Sequence, residues 1–243
     1  MNNNPYKYKI KWKKMSQLRF DVYGSVHKGL RFLMTELMFE LGRADVNNPE
    51  ELTSVGEKLQ YLWDILIVHA AGEEEFIFPH LEREDKAIFR KLKQAHDKFD
   101  EQIEILRKNF KRIIEPDIKD ADKVERMYKY TKQYNTFLSQ YFSHLQDEEL
   151  EANPILWKIL DDGELMEVLI NMSSKPTPEL QQYFIPYLLR ATNPSERVGV
   201  LMGMRKAMSE TRFSGVLSLA EATLQESDWQ KLKQSLDSLV QVH

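Results

Sequence analysis

The stretch His69-Ala70-Ala71-Gly72-Glu73-Glu74-Glu75-Phe76-Ile77-Phe78-Pro79 sets an imidazole and a carboxylate four residues apart. On an α-helix, positions i and i+4 lie on one face, so His69 and Glu73 can hold one cation or reach two. A lone His-x-x-x-Glu pair says little in a chain with six His and 38 Asp and Glu, where it usually marks a solvated helix face. Its meaning depends on the stripe it occupies. Val55, Leu59, Leu62 and Leu66 lead into His69 at helical spacing, and Phe76 follows Glu73, so both polar groups are predicted to face inward. Gly72, between them, would let a neighbouring helix approach closely.

The pair recurs. His144 and Glu148 end a second stripe of Met127, Tyr130, Tyr134, Phe137 and Tyr141. Two single histidines sit on stripes of their own: His27 within Phe20, Tyr23, Leu30, Met34, Leu37 and Leu41, and His96 within Phe89, Leu92, Phe99, Ile103, Leu106, Phe110 and Ile113. Punctuation separates the four. Ser16 is a candidate cap for the first helix, Gly42 and residues 44–48 stop it, and Asn48-Pro49-Glu50-Glu51 starts the second. Pro79 ends or kinks that helix, Asp85 can cap the third, Glu115-Pro116-Asp117 breaks it, Asp120 can cap the fourth, and Asn153-Pro154 closes it. Four long helices with short connections predict an all-α fold, an antiparallel up-down-up-down four-helix bundle over residues 16–155.

The flanks read differently. Residues 1–15 form a basic arm, expected to be a frayed end. Residues 161–243 form a C-terminal extension of short helices, predicted at 163–172, 178–190, 193–208, 211–224 and 228–240, the last capped by Ser227. No His occurs there before His243, so the extension is expected to pack or cap rather than react.

Composition narrows the chemistry. At 243 residues and 42% hydrophobic content the chain can bury a substantial core. The absence of Cys excludes disulfides and thiolate metal sites, leaving His, carboxylate or Tyr as ligands. A net charge of −4 points to neither nucleic acid nor an anionic membrane as partner, and no run of the sequence approaches a membrane span. A cytoplasmic protein is the expectation.

Depth along the helices carries the argument for a centre. His27 lies 11 residues after Ser16, His96 11 after Asp85, and His69 10 before Pro79. At about 1.5 Å per residue these heights agree within a turn in an antiparallel bundle. An ionised carboxylate buried without a partner costs several kcal/mol, and two facing carboxylates repel; a dication removes both penalties. The duplicated arrangement, one His then His-x-x-x-Glu, suggests a dinuclear site with Glu73 and Glu148 as bridges. Iron, manganese and zinc all suit such ligands.

The order His27, His69-x-x-x-Glu73-Glu-x-x-x-x-Pro79, His96, His144-x-x-x-Glu148-Glu149 resembles the hemerythrin, or HHE cation-binding, family of non-haem di-iron four-helix bundles. The resemblance implies His27, His69, His96 and His144 as terminal ligands, Glu73 and Glu148 as bridging carboxylates, and two iron ions as cofactor. It also implies reversible O2 binding, oxygen or iron sensing, or handling of nitric oxide or damaged iron clusters. One departure concerns Asp100, which stands where the oxygen carriers have a fifth His, and can be a further ligand, an orienting group or a solvated residue. Carrier spacing would select Glu149 as the second bridge, whereas the apolar stripe selects Glu148. Tyr23, one turn before His27, can donate to or ligate a metal or stack in the core, while Glu74 and Glu75 are expected on a solvated face and His80 exposed. The reading that follows is a di-iron protein reacting with O2, another small oxidant or a nitrogen oxide. The alternative is an O2 or iron sensor or carrier module signalling through the C-terminal helices.

Overall fold

The computed structural model describes residues 19–115 and 118–240. Ser16, residues 1–15 and Pro116-Asp117 lie outside the described residues, as does His243. Every regular element among the described residues is a helix: α1 (Gly24–Arg43), α2 (Pro49–Phe76), α3 (Phe78–Glu84), α4 (Lys86–Lys111), α5 (Asp120–Asp147), a π turn (Glu148–Ala152), α6 (Asn153–Ile159), α7 (Asp162–Ser173), α8 (Pro178–Ala191), α9 (Pro194–Ala207), α10 (Glu210–Thr223) and α11 (Glu226–Val240). None of them is long and apolar enough to cross a membrane.

The ends of these helices follow from local chemistry. The Asn48 side chain accepts from the backbone N–H of Glu50 and Glu51, and Asp85 from those of Ala87 and Ile88, so α2 and α4 begin where the sequence expects. Asp161 and Asn193 each complete a capping box, with Glu164 and Glu196 reaching back to the cap N–H. Several boundaries differ from expectation. The first long helix starts at Gly24 and leaves Phe20 outside it, because Asp21 Oδ1 accepts from the N–H of both Tyr23 and Gly24. Lys119, without a side-chain cap, precedes α5, so Asp120 is its first residue rather than its cap, and α11 begins at Glu226, one residue before Ser227. Pro79 stops α2 only briefly, since it sits in the first turn of α3, and Pro154 likewise falls in the first turn of α6 instead of closing the chain's path.

The four long helices form a ring of contacts, α1 against α2 and α5, and α4 against the same two. Their shared core includes Leu30, Met34, Leu62, Trp63, Leu66, Phe99, Tyr134, Phe137 and Tyr141. A second apolar cluster closes one end, built from Val22, Tyr23, Ile77, Phe78, Leu81, Leu92, Ala152, Leu156 and Leu165. Each fully buried Leu or Phe contributes about 1.5–3 kcal/mol relative to exposure. A third cluster, around Leu189, Leu201, Phe213, Ala220 and Trp229, holds α8–α11 together. Helix α8 joins this unit to the rest by lying along α1, where Gly29 makes the approach possible: a Cβ there would stand 2.8 Å from Phe184 Cζ and 3.1 Å from Leu188 Cα.

Candidate metal centre

The four stripe histidines and two carboxylates lie in one polar layer between the core of the long helices and the apolar cluster that closes their end. His27 is the fourth residue of α1, not the twelfth of a longer helix, so counting from a helix start does not fix its depth. The layer is enclosed because the chain continues past it: α3 follows α2, and the π turn and α6 follow α5. Arg19 donates to the carbonyls of Trp157 and Leu160, Trp157 Nε1 to that of Phe20, and Asn153 Nδ2 to Asp21. The entry to α1 is thereby tied to α6, which sets His27 opposite Glu148.

The two carboxylates are the hubs. Glu73 Oε1 lies 3.3 Å from His69 Nε2 and 3.8 Å from His27 Nε2, while its Oε2 lies 3.4 Å from His96 Nε2. Glu148 mirrors it, with Oε2 at 3.5 Å from His27 Nε2 and Oε1 at 3.4 Å from His96 Nε2 and 3.0 Å from His144 Nε2. Each carboxylate therefore turns one oxygen toward the His27 side and one toward the His96 side. The imidazoles repeat the pattern: His27 with His69 and His96 with His144 meet edge to face, at 83° and 82°. Two potential cation positions result, one among His27, His69, Glu73 and Glu148, the other among His96, His144 and Glu148.

A π turn begins at Glu148, an element that the stripe pattern does not reveal. The Asn153 N–H bonds to the Glu148 carbonyl across the widened turn. Glu148 is fully buried on the stripe, whereas Glu149 points toward α1, accepting from His27 Nδ1 at 2.9 Å and from both terminal nitrogens of Arg31 at 2.6 and 3.1 Å. Glu74 does the same for His96, whose Nδ1 lies 3.1 Å from its Oε1. Glu74 therefore leaves the solvated face assigned to it: it sits one residue beyond Glu73, as Glu149 sits one beyond Glu148, and each orients the single histidine of a neighbouring helix. With Nδ1–H donating to a carboxylate, the neutral imidazole presents its Nε2 lone pair to the centre. The signal available in sequence was the doubled Glu-Glu after each His-x-x-x spacing.

The electrostatics match that geometry. Burial pushes the His27 pKa down, but the hydrogen bond to Glu149 and the nearby Glu73 and Glu148 carboxylates outweigh it and raise it to about 9. His96 is raised in the same way, by Glu148 and Glu73 against burial, to about 10. His69 is lowered by burial, the Glu73 charge opposing. Burial would raise both hub carboxyls, and Glu148 also feels the Glu73 charge, yet the surrounding imidazoles hold both below the ordinary range, Glu73 well below. Glu149, despite half burial, falls to about 2 through His27 and Arg31.

The donor set fits a pair of divalent cations. His27 Nε2, His69 Nε2, both Glu73 oxygens and Glu148 Oε2 are buried without a hydrogen-bond partner, and all belong to this layer. Unpartnered buried polar atoms of this kind are costly, and a concentration of them at one point calls for a cation. Apolar groups wall the layer: Phe78 stacks on His96 at 4.8 Å, Tyr23 lies 5.1 Å from His27, and Phe99 and Tyr141 flank His144 at 5.3 and 5.8 Å. The Tyr23 hydroxyl is buried and unpartnered, its pKa raised well above normal by burial and then by Glu73 and Glu148. Asp100 belongs to neither ligand group: its side chain is exposed, and the partial desolvation it retains raises its carboxyl against the opposing His96 charge. Glu75 pairs with Lys175 outside the layer, and His80 is half-buried rather than exposed.

A family model described as the hemerythrin HHE cation binding domain matches residues 22–156. The match spans more than half of the 243 residues, and the chain belongs to this family of cation-binding domains, in which iron is the typical metal. No curated protein and no solved structure gives a significant match to the chain.

Proposed function

We propose that the chain is a non-haem di-iron protein that reacts with O2, another small oxidant or a nitrogen oxide. His27, His69, His96 and His144 would be terminal ligands and Glu73 and Glu148 bridges. The observation that carries the reading is the arrangement of the two hub carboxylates, each offering one oxygen to each histidine pair. Bound there, an iron pair would supply electrons for reduction of O2 or a nitrogen oxide. The chain's residues do the rest. Glu149 and Glu74 fix the His27 and His96 rings through Nδ1, Arg31 fixes Glu149, and Phe78, Tyr23, Phe99 and Tyr141 pack their rings against His96, His27 and His144. With an exposed Asp100 where a fifth imidazole would stand, coordination is left open, which favours reaction over carriage.

The ring of contacts among α1, α2, α4 and α5 supports an antiparallel up-down-up-down bundle over residues 16–155 with residues 161–243 as an appended helical unit. A net charge of −4 supports the absence of nucleic-acid and anionic-membrane partners, and a cytoplasmic location is proposed as the default.

A second reading, an O2 or iron sensor signalling through the C-terminal helices, draws on the packing of α7 beside the hub: a Cβ on Gly72 would lie 3.4 Å from Met172 Cγ. One spectroscopic experiment separates the two. Anaerobic Fe(II)-loaded protein exposed to O2 or nitric oxide is expected to change its absorption irreversibly or with turnover; full reversal on degassing would favour sensing or carriage. Inertness to O2, peroxide and nitric oxide sinks the proposal.

A further inference from the structure

A cleft of about 350 Å³ lies between the long helices and the C-terminal unit. Its walls are apolar, formed by Val26 and Leu30 of α1, Val68 of α2, Leu169 of α7, and Phe184 and Leu188 of α8. Its floor reaches His69 and Gly72. Of the six stripe groups, His69 is the most accessible, its side chain 8% exposed against 4% or less for the others. The cleft is thus a route from solvent to the polar layer.

Charge at the cleft's edge is of one sign. Arg212 of α10 lines it, is itself exposed, and donates to Gln181 Oε1 at 2.8 Å; among the described residues it forms no ion pair. Gln181 is held in turn, its Nε2 donating to the Ser173 carbonyl at 2.9 Å. Ligand sites typically combine apolar walls of this volume with a few placed polar groups. A water occupies about 30 Å³ of liquid, and a methylene is of similar size, so the cleft has room for roughly a dozen non-hydrogen atoms.

We propose that this cleft binds a medium-chain alkyl monocarboxylate, the alkyl chain against Val26, Leu169 and Phe184 and the carboxylate on Arg212. An anionic head is chosen because a guanidinium pairs with a carboxylate more strongly than with the neutral amide it now meets. The chain's far end then lies toward His69, which rests on the di-metal reading only for what the ligand would meet there. The binding itself does not.

Decanoate titrated calorimetrically into the metal-free, full-length protein tests the site, with decanol as the uncharged control. One saturable site is expected, with Arg212→Gln weakening decanoate about tenfold and leaving decanol unchanged. Leu169→Trp, which fills the cleft, is expected to abolish both, with circular dichroism confirming retained helix. Absence of saturable binding, or equal affinity for decanoate with and without Arg212, overturns the proposal. In Mn(II)-loaded protein the terminal methyl of bound decanoate is expected to relax faster than its C2 protons; the reverse order overturns the orientation. A chain that binds decanoate but no metal would instead count against the di-iron reading alone.

Discussion

Replacing Gly29 by Ala tests how the C-terminal helices are held on the long-helix core. In an unobstructed helix the change should stabilise, because Gly is worse than Ala by about 0.5–1 kcal/mol. Gly42 supplies that control within the same helix, since a Cβ there meets nothing within 4 Å. At Gly29 the new methyl would stand 2.8 Å from Phe184 Cζ and 3.1 Å from Leu188 Cα. The Phe184 ring can swing aside, but the Leu188 backbone belongs to α8 and moves only if the helix moves. Overpacking of this kind costs about 1–3 kcal/mol. Subtracting the propensity gain leaves a net loss of about 1 kcal/mol, or roughly 2–4 °C in Tm for a protein of this size. Thermal melts of the two variants are the assay: Gly42→Ala is expected to melt slightly above the parent and Gly29→Ala below it. A Gly29→Ala protein as stable as Gly42→Ala would refute close docking of α8 on α1.

Three further predictions concern the centre and the C-terminal unit. With His27 and His96 raised to about 9 and 10, both carry protons at pH 7.5 in the metal-free protein, while the hub carboxyls are already ionised. Divalent metal must displace both protons, so calorimetry in buffers of different ionisation enthalpy is expected to show about two released per chain, and affinity to rise with pH until about pH 10. Release of none would contradict the ion pairing. Glu74→Ala and Glu149→Ala, which remove the Nδ1 partners of His96 and His27, are expected to weaken metal binding 10–100-fold, whereas Glu75→Ala should leave it unchanged; equal effects of all three on metal titrations would argue against the orienting roles. Arg197, buried between the Leu189 carbonyl and Asp228, links α9 to α8 and α11. Arg197→Met is expected to destabilise the C-terminal unit by about 1.5–3 kcal/mol, read as faster hydrogen exchange in α8–α11. The Asp228 carboxyl is held low by Arg197, so the pair's stabilisation should be present at neutral pH and fade as acid takes the carboxylate through its depressed pKa.

How much of this was legible in sequence depended on periodicity. The stripes through His69, His96 and His144 were readable because each imidazole replaces an apolar residue without breaking the helical spacing, and the structure buries Glu73 and Glu148 where the stripe puts them. Gly72 was likewise read as a point of close approach, and α7 is the helix that uses it. Helix starts were less readable. The sequence offers Ser16 as the cap, whereas α1 starts at Gly24, where Asp21 accepts from the Tyr23 and Gly24 N–H groups and is itself held by Asn153 across the fold. The π turn leaves no mark on a three-to-four periodicity, so the turning of Glu149 toward His27 and Arg31 is a feature of the fold that the stripe does not show. The partnership of Glu74 with His96 was hidden for another reason: it joins two helices, and a run of three glutamates reads locally as a solvated face. The docking of α8 on α1 at Gly29 is long-range as well, and it was not anticipated from the sequence.

The central claim, that six side chains from α1, α2, α4, α5 and the π turn hold two metal ions, is tested most directly by elemental analysis. Protein purified anaerobically from iron-replete cells is expected to carry two iron per chain, and Glu73→Ala/Glu148→Ala protein of unchanged helix content almost none. Iron-free parent protein whose Tm does not move on adding Fe(II), or equal iron in parent and variant, would contradict it.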